Sequence, residues 1–391
     1  MQKDVRLNQM AQNIVKKSVK LKKGETVYIE AFGKEIFPFL EEVIKEATKA
    51  GATPFYYFND EEMQKHFIEN ASKEQMEQHA KLHQHLMQQA DAYIGLRGYD
   101  NIFAMSDLSE KKAELFEDVY MNMVHWQVRI PHTRWCVMRY PTKTMAVLAK
   151  MSTKQFEDFY FNACLLDYQK MGKAQQKLIN LMKKTDKVKI IAPNTNIEFS
   201  IKGIPVLESC GGHNLPDGEV FTAPVKTSIN GHIQFNTQTI EGGNLFSNIY
   251  LEFKEGKIIK ATSDVNNDKL QKVIKTDAGS CYMGEFAIGH NPHITKELLD
   301  PLFDEKIAGS LHKELLDPLF DEKIAGSLHM AIGSSYDDAC NTNKSVIHWD
   351  LVQIQTPAKG GGEIWFDDVL IRKDGLFVIK ELECLNPENL K

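Results

Sequence analysis

Apolar residues in the first half of the chain alternate between short runs of β type and longer stretches with helical spacing. Residues 25–30 and 53–58 are rich in β-branched and aromatic side chains, which predicts two strands. The spacing from Ile36 to Ala50 predicts a helix between them, capped by Gly51. A third strand is predicted at 92–96. Strands that alternate with helices in this order predict an α/β domain with a parallel sheet.

A polar helical stretch before the third predicted strand contains three histidines, His79, His83 and His85. They stand at helical spacing but have no carboxylate companions. We therefore expect an exposed helix face here rather than a metal site. The first strand is not followed by Gly-x-Gly-x-x-Gly, so the sequence does not indicate a dinucleotide site.

The hydrophobic pattern changes in the middle of the chain. Helical spacing is continuous from Ser152 to Lys184, and the run from Val188 to Ala192 opens a region dense in short strands, glycine turns and prolines. A chain of 391 residues also exceeds the usual size of a single core. We therefore predict an N-terminal α/β domain at 1–185 and a C-terminal domain of mixed α+β structure at 186–391.

One segment of the C-terminal half occurs twice. The 17 residues from Lys296 to His312, KELLDPLFDEKIAGSLH, are repeated without change from Lys313 to His329. Ancient repeats drift in sequence, and a solenoid needs at least three units. Two identical copies therefore indicate a recent duplication or an artefact of sequence assembly.

Composition and charge argue against several classes of protein. The formal net charge is −6, whereas nucleic-acid binders normally carry a basic excess. The sequence has neither an apolar run of membrane-spanning length nor an initial segment of signal-peptide type. Its six cysteines are scattered, without a Cys-x-x-Cys pair, which favours reduced thiols. We expect a cytoplasmic protein with no membrane segment, structural zinc or nucleic-acid partner.

Acidic residues of the C-terminal half stand beside glycine-rich turns. Glu219 follows a Pro-Asp-Gly turn at a predicted strand start. Glu285 lies between Gly284 and Gly289, and glycine permits a close approach of neighbouring backbone. Either glutamate alone is a weak signal, because a glutamate near a turn is usually solvated.

Histidines and further carboxylates follow along the chain. Glu322 and His329 belong to the second copy of the repeat, and His348 and Asp350 are two residues apart. On a strand, residues i and i+2 share a face, so His348 and Asp350 can reach one site. Carboxylates outnumber imidazoles, and no thiolate is paired with them. This mixture suits a pair of divalent ions such as Zn, Co, Mn or Mg better than a thiolate zinc site.

These candidates belong to motifs that occur in order over most of the chain. The motifs are RWCVMRYPT (134–142), NLPDGEVFTAP (214–224), GEFAIG (284–289), FDEKIAGSLHMAIGSSY (320–336) and NKSVIHWD (343–350). Together they resemble the thermophilic aminopeptidase family, peptidase family M29. The resemblance implies an N-terminal α/β domain and a C-terminal catalytic domain with a dinuclear metal site. It also implies a homodimer that releases N-terminal amino acids from peptides with a free N-terminus.

The resemblance implies roles for individual residues. Those that correspond to metal ligands are Glu219, Glu285, Glu322, His329, His348 and Asp350. Glu285 is implied to bridge both ions or to act as general base, and Tyr336 to steady the tetrahedral intermediate. The doubled block departs from the family pattern, because it supplies Glu305 and His312 as second candidates for two ligands.

Continuity of the chain favours the second copy of the block. The apolar run from Met330 to Ile332 continues directly from His329, whereas a ligand at His312 would be cut off from that strand-like run. Lengthening a surface loop costs only about 0.6 kcal/mol per doubling of its length. We therefore assign Glu322 and His329 to the site and expect Lys296–His312 to be looped out or poorly ordered. A mixed solution with one ligand from each copy stays open.

The ligand types suit peptide hydrolysis. A bound divalent ion lowers the pKa of its water from 15.7 to roughly 7, and a nearby carboxylate can carry the proton to the leaving nitrogen. Surplus carboxylate charge also favours the N-terminal ammonium of a substrate. Two other functions stay open: a metal-dependent amidase or deacylase acting on small non-peptide substrates, and a catalytically silent metal-binding scaffold.

Overall fold

The computed structural model describes residues 4–99, 101, 104–105, 108–241, 244–295 and 321–391. These residues form two compact units. The first unit contains the described residues up to 165 together with 211–216, and the second contains the other described residues. No helix in these ranges is both long and apolar enough to cross a membrane.

Helices occur in both units. In chain order they are α1 (Val5–Asn13), α2 (Phe37–Lys49), α3 (Glu61–Asn70), α4 (Lys73–Gln88), α5 (Glu110–Phe116), α6 (Ile130–His132), α7 (Lys143–Leu148), α8 (Thr153–Cys164), α9 (Tyr168–Met182), α10 (Asn267–Val273) and α11 (Pro387–Leu390). A π-helical segment, Glu117–Arg129, joins α5 to α6, and a shorter one, Ile14–Ser18, extends α1. Short 3₁₀ turns are Lys34–Ile36, Asp321–Lys323, Pro357–Lys359 and Glu383–Leu385.

Strands are most frequent after residue 186. In chain order they are β1 (Thr26–Phe32), β2 (Thr53–Asn59), β3 (Ala92–Arg97), β4 (Arg134–Arg139), β5 (Lys187–Ala192), β6 (Thr195–Ser200), β7 (Leu207–Ser209), β8 (Asn214–Leu215), β9 (Glu219–Thr222), β10 (Asn230–Gln234), β11 (Gln238–Glu241), β12 (Asn244–Ser247), β13 (Tyr250–Lys254), β14 (Lys257–Thr262), β15 (Met283–Gly289), β16 (Ser327–Gly333), β17 (His348–Ile354), β18 (Glu363–Phe366), β19 (Val369–Lys373) and β20 (Leu376–Phe377).

The first unit is built on a five-stranded parallel sheet in the order β2-β1-β3-β4-β8. Strands β1 and β3 are buried almost throughout, as expected for central strands that are covered on both faces. Gly51, which ends the stretch after α2, has φ +82°, a conformation that favours glycine. The predicted strands, the helix between the first two and the parallel pairing are confirmed.

The expected exposed histidine face on α4 is wrong for His83. Its side chain is buried, and its Nδ1 atom lies 2.7 Å from Tyr28 Oη and 3.2 Å from Tyr120 Oη. Burial lowers the pKa of His83, which favours the neutral ring at pH 7. The two tyrosines come from other elements, so the spacing of histidines along α4 does not reveal these partners.

The continuous helix expected between Ser152 and Lys184 is two helices, α8 and α9. Helix α8 ends at Cys164, and Asp167 then caps α9 by accepting hydrogen bonds of 3.1 Å from two backbone N–H groups in its first turn. An N-cap aspartate starts a new helix even where the apolar spacing is nearly unbroken. Periodicity alone therefore missed the break.

The second unit contains two large antiparallel sheets. One has eight strands in the order β14-β13-β10-β6-β5-β18-β19-β20, and the other has five in the order β17-β16-β15-β9-β7. Phe199 of the first sheet packs edge-on against Phe286 of the second, with ring centroids 5.1 Å apart. Arg372 is buried and donates a 2.8 Å hydrogen bond to the carbonyl of Ser327 at the start of β16. These contacts fix the position of the five-stranded sheet.

Candidate metal centre

The candidate site is built on four neighbouring strands of the second unit. Strand β9 begins at Glu219, β15 carries Glu285, β16 carries His329, and β17 begins at His348 and carries Asp350. Each of these residues has a small partner in one strand pair: Gly289 faces Glu219, Ala287 faces His329, Gly333 faces His348, and Ala331 faces both Glu285 and Asp350. Their small size leaves room for the larger side chains to turn toward each other.

Glu285 stands between two imidazoles. Its Oε1 atom lies 3.5 Å from His329 Nε2, and its Oε2 atom lies 3.1 Å from His348 Nε2. Asp350 Oδ1 is 3.8 Å from the same nitrogen of His329 and 3.6 Å from that of His348. All four side chains are buried. Two carboxylates and two ring nitrogens therefore converge on one small volume.

The ring of His348 is held by its other nitrogen. Nδ1 lies 2.7 Å from the carbonyl oxygen of Ser334, which can only accept a hydrogen bond. A proton therefore sits on Nδ1, and Nε2 is the ring nitrogen that faces Glu285 and Asp350. A carbonyl that fixes the tautomer in this way is typical of metal-binding histidines.

Glu322 enters the site from the 3₁₀ turn before β16. Its backbone passes close to β15, because a Cβ added to Gly289 would lie 2.2 Å from the Glu322 carbonyl oxygen. Lys323, the next residue, has its Nζ atom 2.7 Å from Glu322 Oε2 and 3.3 Å from Glu219 Oε1. Only glycine at 289 allows this turn to approach the strand.

The ligand atoms form two overlapping groups. Glu219, Glu322 and His329 make one group, and Glu285, His329 and Asp350 make the other; within each, the ligand atoms lie within 4.8 Å of one another. His329 belongs to both groups. Its Nδ1 atom is 3.7 Å from Glu219 Oε2, while its Nε2 atom faces Glu285 and Asp350.

The electrostatics of this cluster are dominated by carboxylate charge. Burial alone would raise the pKa of Glu285, but hydrogen bonds from His329 and His348 outweigh it and hold that pKa at about 2. Burial alone would lower the pKa of His329, but its hydrogen bond to Glu285 and the charges of Glu219 and Glu322 raise it to about 9. The site thus attracts positive charge strongly.

Divalent ions fit this donor set. Four buried carboxylates face one lysine and two imidazoles, and burying uncompensated charge costs several kcal/mol per ion. Among the described residues, Glu219 Oε2 and His329 Nδ1 are buried oxygen and nitrogen atoms without a hydrogen-bond partner. Oxygen and imidazole donors without thiolate suit Zn, Co, Mn or Mg.

Tyr336 lies at the edge of the cluster. Its ring centroid is 4.5 Å from that of His348 and 5.8 Å from that of Phe221. The turn before it is held by hydrogen bonds: Ser334 and Ser335 are buried, and their backbone N–H groups donate to carbonyls at 2.8 and 3.1 Å. Tyr336 is therefore positioned by a fixed turn.

The first copy of the doubled block, Lys296–His312, lies outside the described residues, and so do its alternative ligands Glu305 and His312. Glu322 and His329 of the second copy lie with the other predicted residues. Their role as metal ligands stays a prediction.

Three buried residues of the site were not predicted from the sequence. Lys323 belongs to the motif at 320–336 and directly follows the predicted ligand Glu322. This neighbouring position was a sequence signal that could have marked it as a site residue. Gln175 on α9 donates hydrogen bonds to the Glu219 carbonyl at 3.0 Å and to His290 Nε2 at 2.9 Å. No local signal marks Gln175, because its partners are distant in sequence.

Comparison with known proteins identifies the family. The profile of the thermophilic metalloprotease family (M29) matches residues 3–361. The chain belongs to family M29. Its members are metal-dependent peptidases, which agrees with the carboxylate-rich donor set.

Individual members of family M29 are related to the chain over different lengths. Aminopeptidase 2 of Geobacillus stearothermophilus is 22% identical over 339 residues, 77% of this chain and 81% of that protein. Shorter alignments of 102 residues span a quarter of this chain and a quarter of two other aminopeptidases, at 33% and 31% identity. All three of these relatives are aminopeptidases by name.

Solved structures share the fold of the M29 chain. AmpT from Thermus thermophilus superposes with a TM-score of 0.76 at 18% identity, covering 96% of this chain and 99% of that one. A 2,5-dihydroxypyridine dioxygenase from Pseudomonas putida KT2440 superposes with a TM-score of 0.59 at 12% identity, covering 96% and 98%. Two different chemistries thus occur on one fold, so the reaction must be argued from the site.

Proposed function

We propose that this chain is a metal-dependent aminopeptidase that uses two divalent ions to release N-terminal amino acids from peptides. The observation that carries the proposal is the pair of overlapping ligand groups that share His329. Carboxylates lie on both sides of the His329 ring, Glu219 beside Nδ1 and Glu285 and Asp350 beside Nε2, which would suit two neighbouring ions. Membership of family M29 supports hydrolysis of a peptide bond.

The side chains of the site suit the steps of this reaction. Divalent ions, when bound, supply an activated water and polarise the scissile carbonyl. Glu285 contacts the imidazoles of His329 and His348, and its low pKa keeps it in the charged form in which a carboxylate can act as general base. Tyr336 beside His348 would donate a hydrogen bond from its hydroxyl to the developing oxyanion. The surplus of carboxylates would hold the free ammonium of the substrate.

A chromogenic assay tests this function. Amino-acid p-nitroanilides should be hydrolysed by the metal-loaded protein, and a chelator should abolish the reaction. The matched N-acetyl p-nitroanilide should not be cleaved, because it lacks the ammonium that the carboxylates bind. Equal cleavage of the free and acetylated substrates would favour the amidase function instead. A protein that binds no metal and cleaves neither would be the silent scaffold.

The assembly and location of the protein belong to the same proposal. A homodimer is implied by the family resemblance, and sedimentation of the metal-loaded protein tests it. The cytoplasmic location is supported by six cysteines that all carry free thiols. Fractionation of the source cells tests the location.

A further inference from the structure

Lys323 places a positive charge inside one of the two ligand groups. Its side chain is 1% exposed. Its Nζ atom is in contact with both carboxylates of the Glu219–Glu322 group, at 3.3 and 2.7 Å. The Glu285 carboxylate of the other group instead contacts two imidazoles, those of His329 and His348. The two groups therefore differ in charge.

The position of Lys323 is fixed by its backbone. The residue closes the 3₁₀ turn Asp321–Lys323, and its carbonyl oxygen accepts a 2.9 Å hydrogen bond from Asn291 N–H. The next residue, Ile324, forms a parallel bridge with Asn291. The ammonium can thus move only by rearranging its own side chain, which remains tethered beside Glu219 and Glu322.

An ion that binds between Glu219 and Glu322 must compete with this ammonium. It has to displace Nζ from two carboxylates or accept a like charge a few ångströms away. Either way the ion loses attraction, because charges in a poorly solvated site are weakly screened. An ion at Glu285, His348 and Asp350 does not meet this competitor directly.

We propose that Lys323 makes the two ion positions unequal, so that the ion at Glu219 and Glu322 binds more weakly and fills second. The inference rests on the proposed function, since it assumes the dinuclear site. It assigns Lys323 the role of a positioning residue that stands in for the second ion while that ion is absent. The weaker ion would then be the one that exchanges with solution.

Metal titration of the whole protein tests this assignment. Metal-free protein is dialysed against a series of free Co²⁺ concentrations, and bound cobalt is measured by elemental analysis. The wild type should bind two ions in separate steps. Lys323→Met keeps the length of the side chain and removes its charge. In this variant the cobalt affinity of the weaker step should rise by roughly tenfold or more, while the affinity of the tighter step should not change. Lys323→Arg should keep the steps separate.

Lys344→Met is the matched control. Lys344 also pairs with a carboxylate, Asp337 at 2.6 Å, but its side chain is 63% exposed and lies outside the ligand groups. The Lys344→Met substitution should leave both cobalt-binding steps unchanged. A change in Lys344→Met equal to that in Lys323→Met would overturn the assignment, because the effect would then reflect net charge alone.

Substitutions of the predicted ligands show which binding step belongs to which ligand group. This test remains valid even if Lys323→Met does not fold. Glu322→Gln should remove the weaker step, and Asp350→Asn should remove the tighter one. Two indistinguishable steps in the wild type, or the reverse assignment, would overturn the inference. A wild-type protein that binds no cobalt would instead overturn the proposed function itself.

Discussion

His348 and Glu285 lie 3.1 Å apart, Nε2 to Oε2, although they come from strands on opposite sides of β16. The other ring nitrogen of His348 is held 2.7 Å from the Ser334 carbonyl. The contact therefore does not depend on a mobile side chain. It places a buried carboxylate of low pKa next to the Nε2 nitrogen of His348, at the centre of the candidate site.

Glu285→Gln should keep the fold and lower kcat by about 10² to 10⁴. Glutamine has nearly the same shape, but it neither carries the charge nor accepts the proton. Steady-state kinetics at saturating metal measure the effect, and thermal unfolding checks the fold. Glu198→Gln on the exposed face of β6 is the control and should be neutral. Near-normal turnover of Glu285→Gln would remove Glu285 from the mechanism.

The strands that carry the site could be predicted from the sequence, because their patterns are local. His348 and Asp350 share a face at i and i+2; in the structure His348 lies 3.1 Å from Glu285, and Asp350 lies 3.8 Å from His329. Glu219 starts a strand after its turn, as expected. Glycine at 289 was expected to allow a close approach, and the structure shows that the Glu322 turn makes it.

Contacts between distant segments could not be predicted. The lysine in the Glu219–Glu322 group becomes meaningful only when β9 and the 3₁₀ turn come together, and they are about a hundred residues apart in sequence. The burial of His83 likewise depends on Tyr28 and Tyr120 from other elements. A single sequence carries no signal for such pairings.

Tyr336→Phe should lower kcat more than it raises KM. A hydroxyl that donates to a developing oxyanion acts mainly on the barrier, whereas one that positions substrate acts on binding. The ring packs 4.5 Å from His348 and should keep this contact as phenylalanine. Tyr250→Phe, on the eight-stranded sheet, is the control. A change confined to KM would make Tyr336 a substrate-positioning residue.

His290 should make stability depend on pH. Burial lowers its pKa to about 4, from 6.5 in the unfolded chain. The unfolded chain therefore binds the proton first, and stability is lost as the pH falls from 6.5 to 4. The loss is on the order of 3 kcal/mol.

His290→Gln removes the titrating ring and should flatten this part of the profile. Urea unfolding of wild type and variant at several pH values, under the same metal conditions, measures the difference. The two free energies of unfolding should converge as the pH falls from 6.5 to 4. Parallel profiles would show that His290 does not contribute.

Both copies of the doubled block contain the same glutamate and histidine, so separate substitutions decide which copy builds the site. In the structure His329 lies in β16, 3.5 Å from Glu285, and the strand continues through Met330–Ile332 as expected. The chain on either side of the segment 296–320 also comes together, since Ala325 N–H donates a 3.0 Å hydrogen bond to the Ile294 carbonyl. An extra copy can therefore be accommodated without breaking β16.

His329→Ala should remove most of the bound metal, because His329 is shared by both ligand groups. His312→Ala should leave metal binding unchanged, and so should deletion of Lys296–His312, which keeps the second copy intact. Elemental analysis after dialysis measures all three variants, with thermal unfolding as the check on folding. The deletion is the most stringent of the three, because it shortens the connection while leaving Glu322 and β16 in place. If only His312→Ala abolished metal binding, the ligand would belong to the first copy. The assignment of His329 from the continuity of β16 would then be wrong.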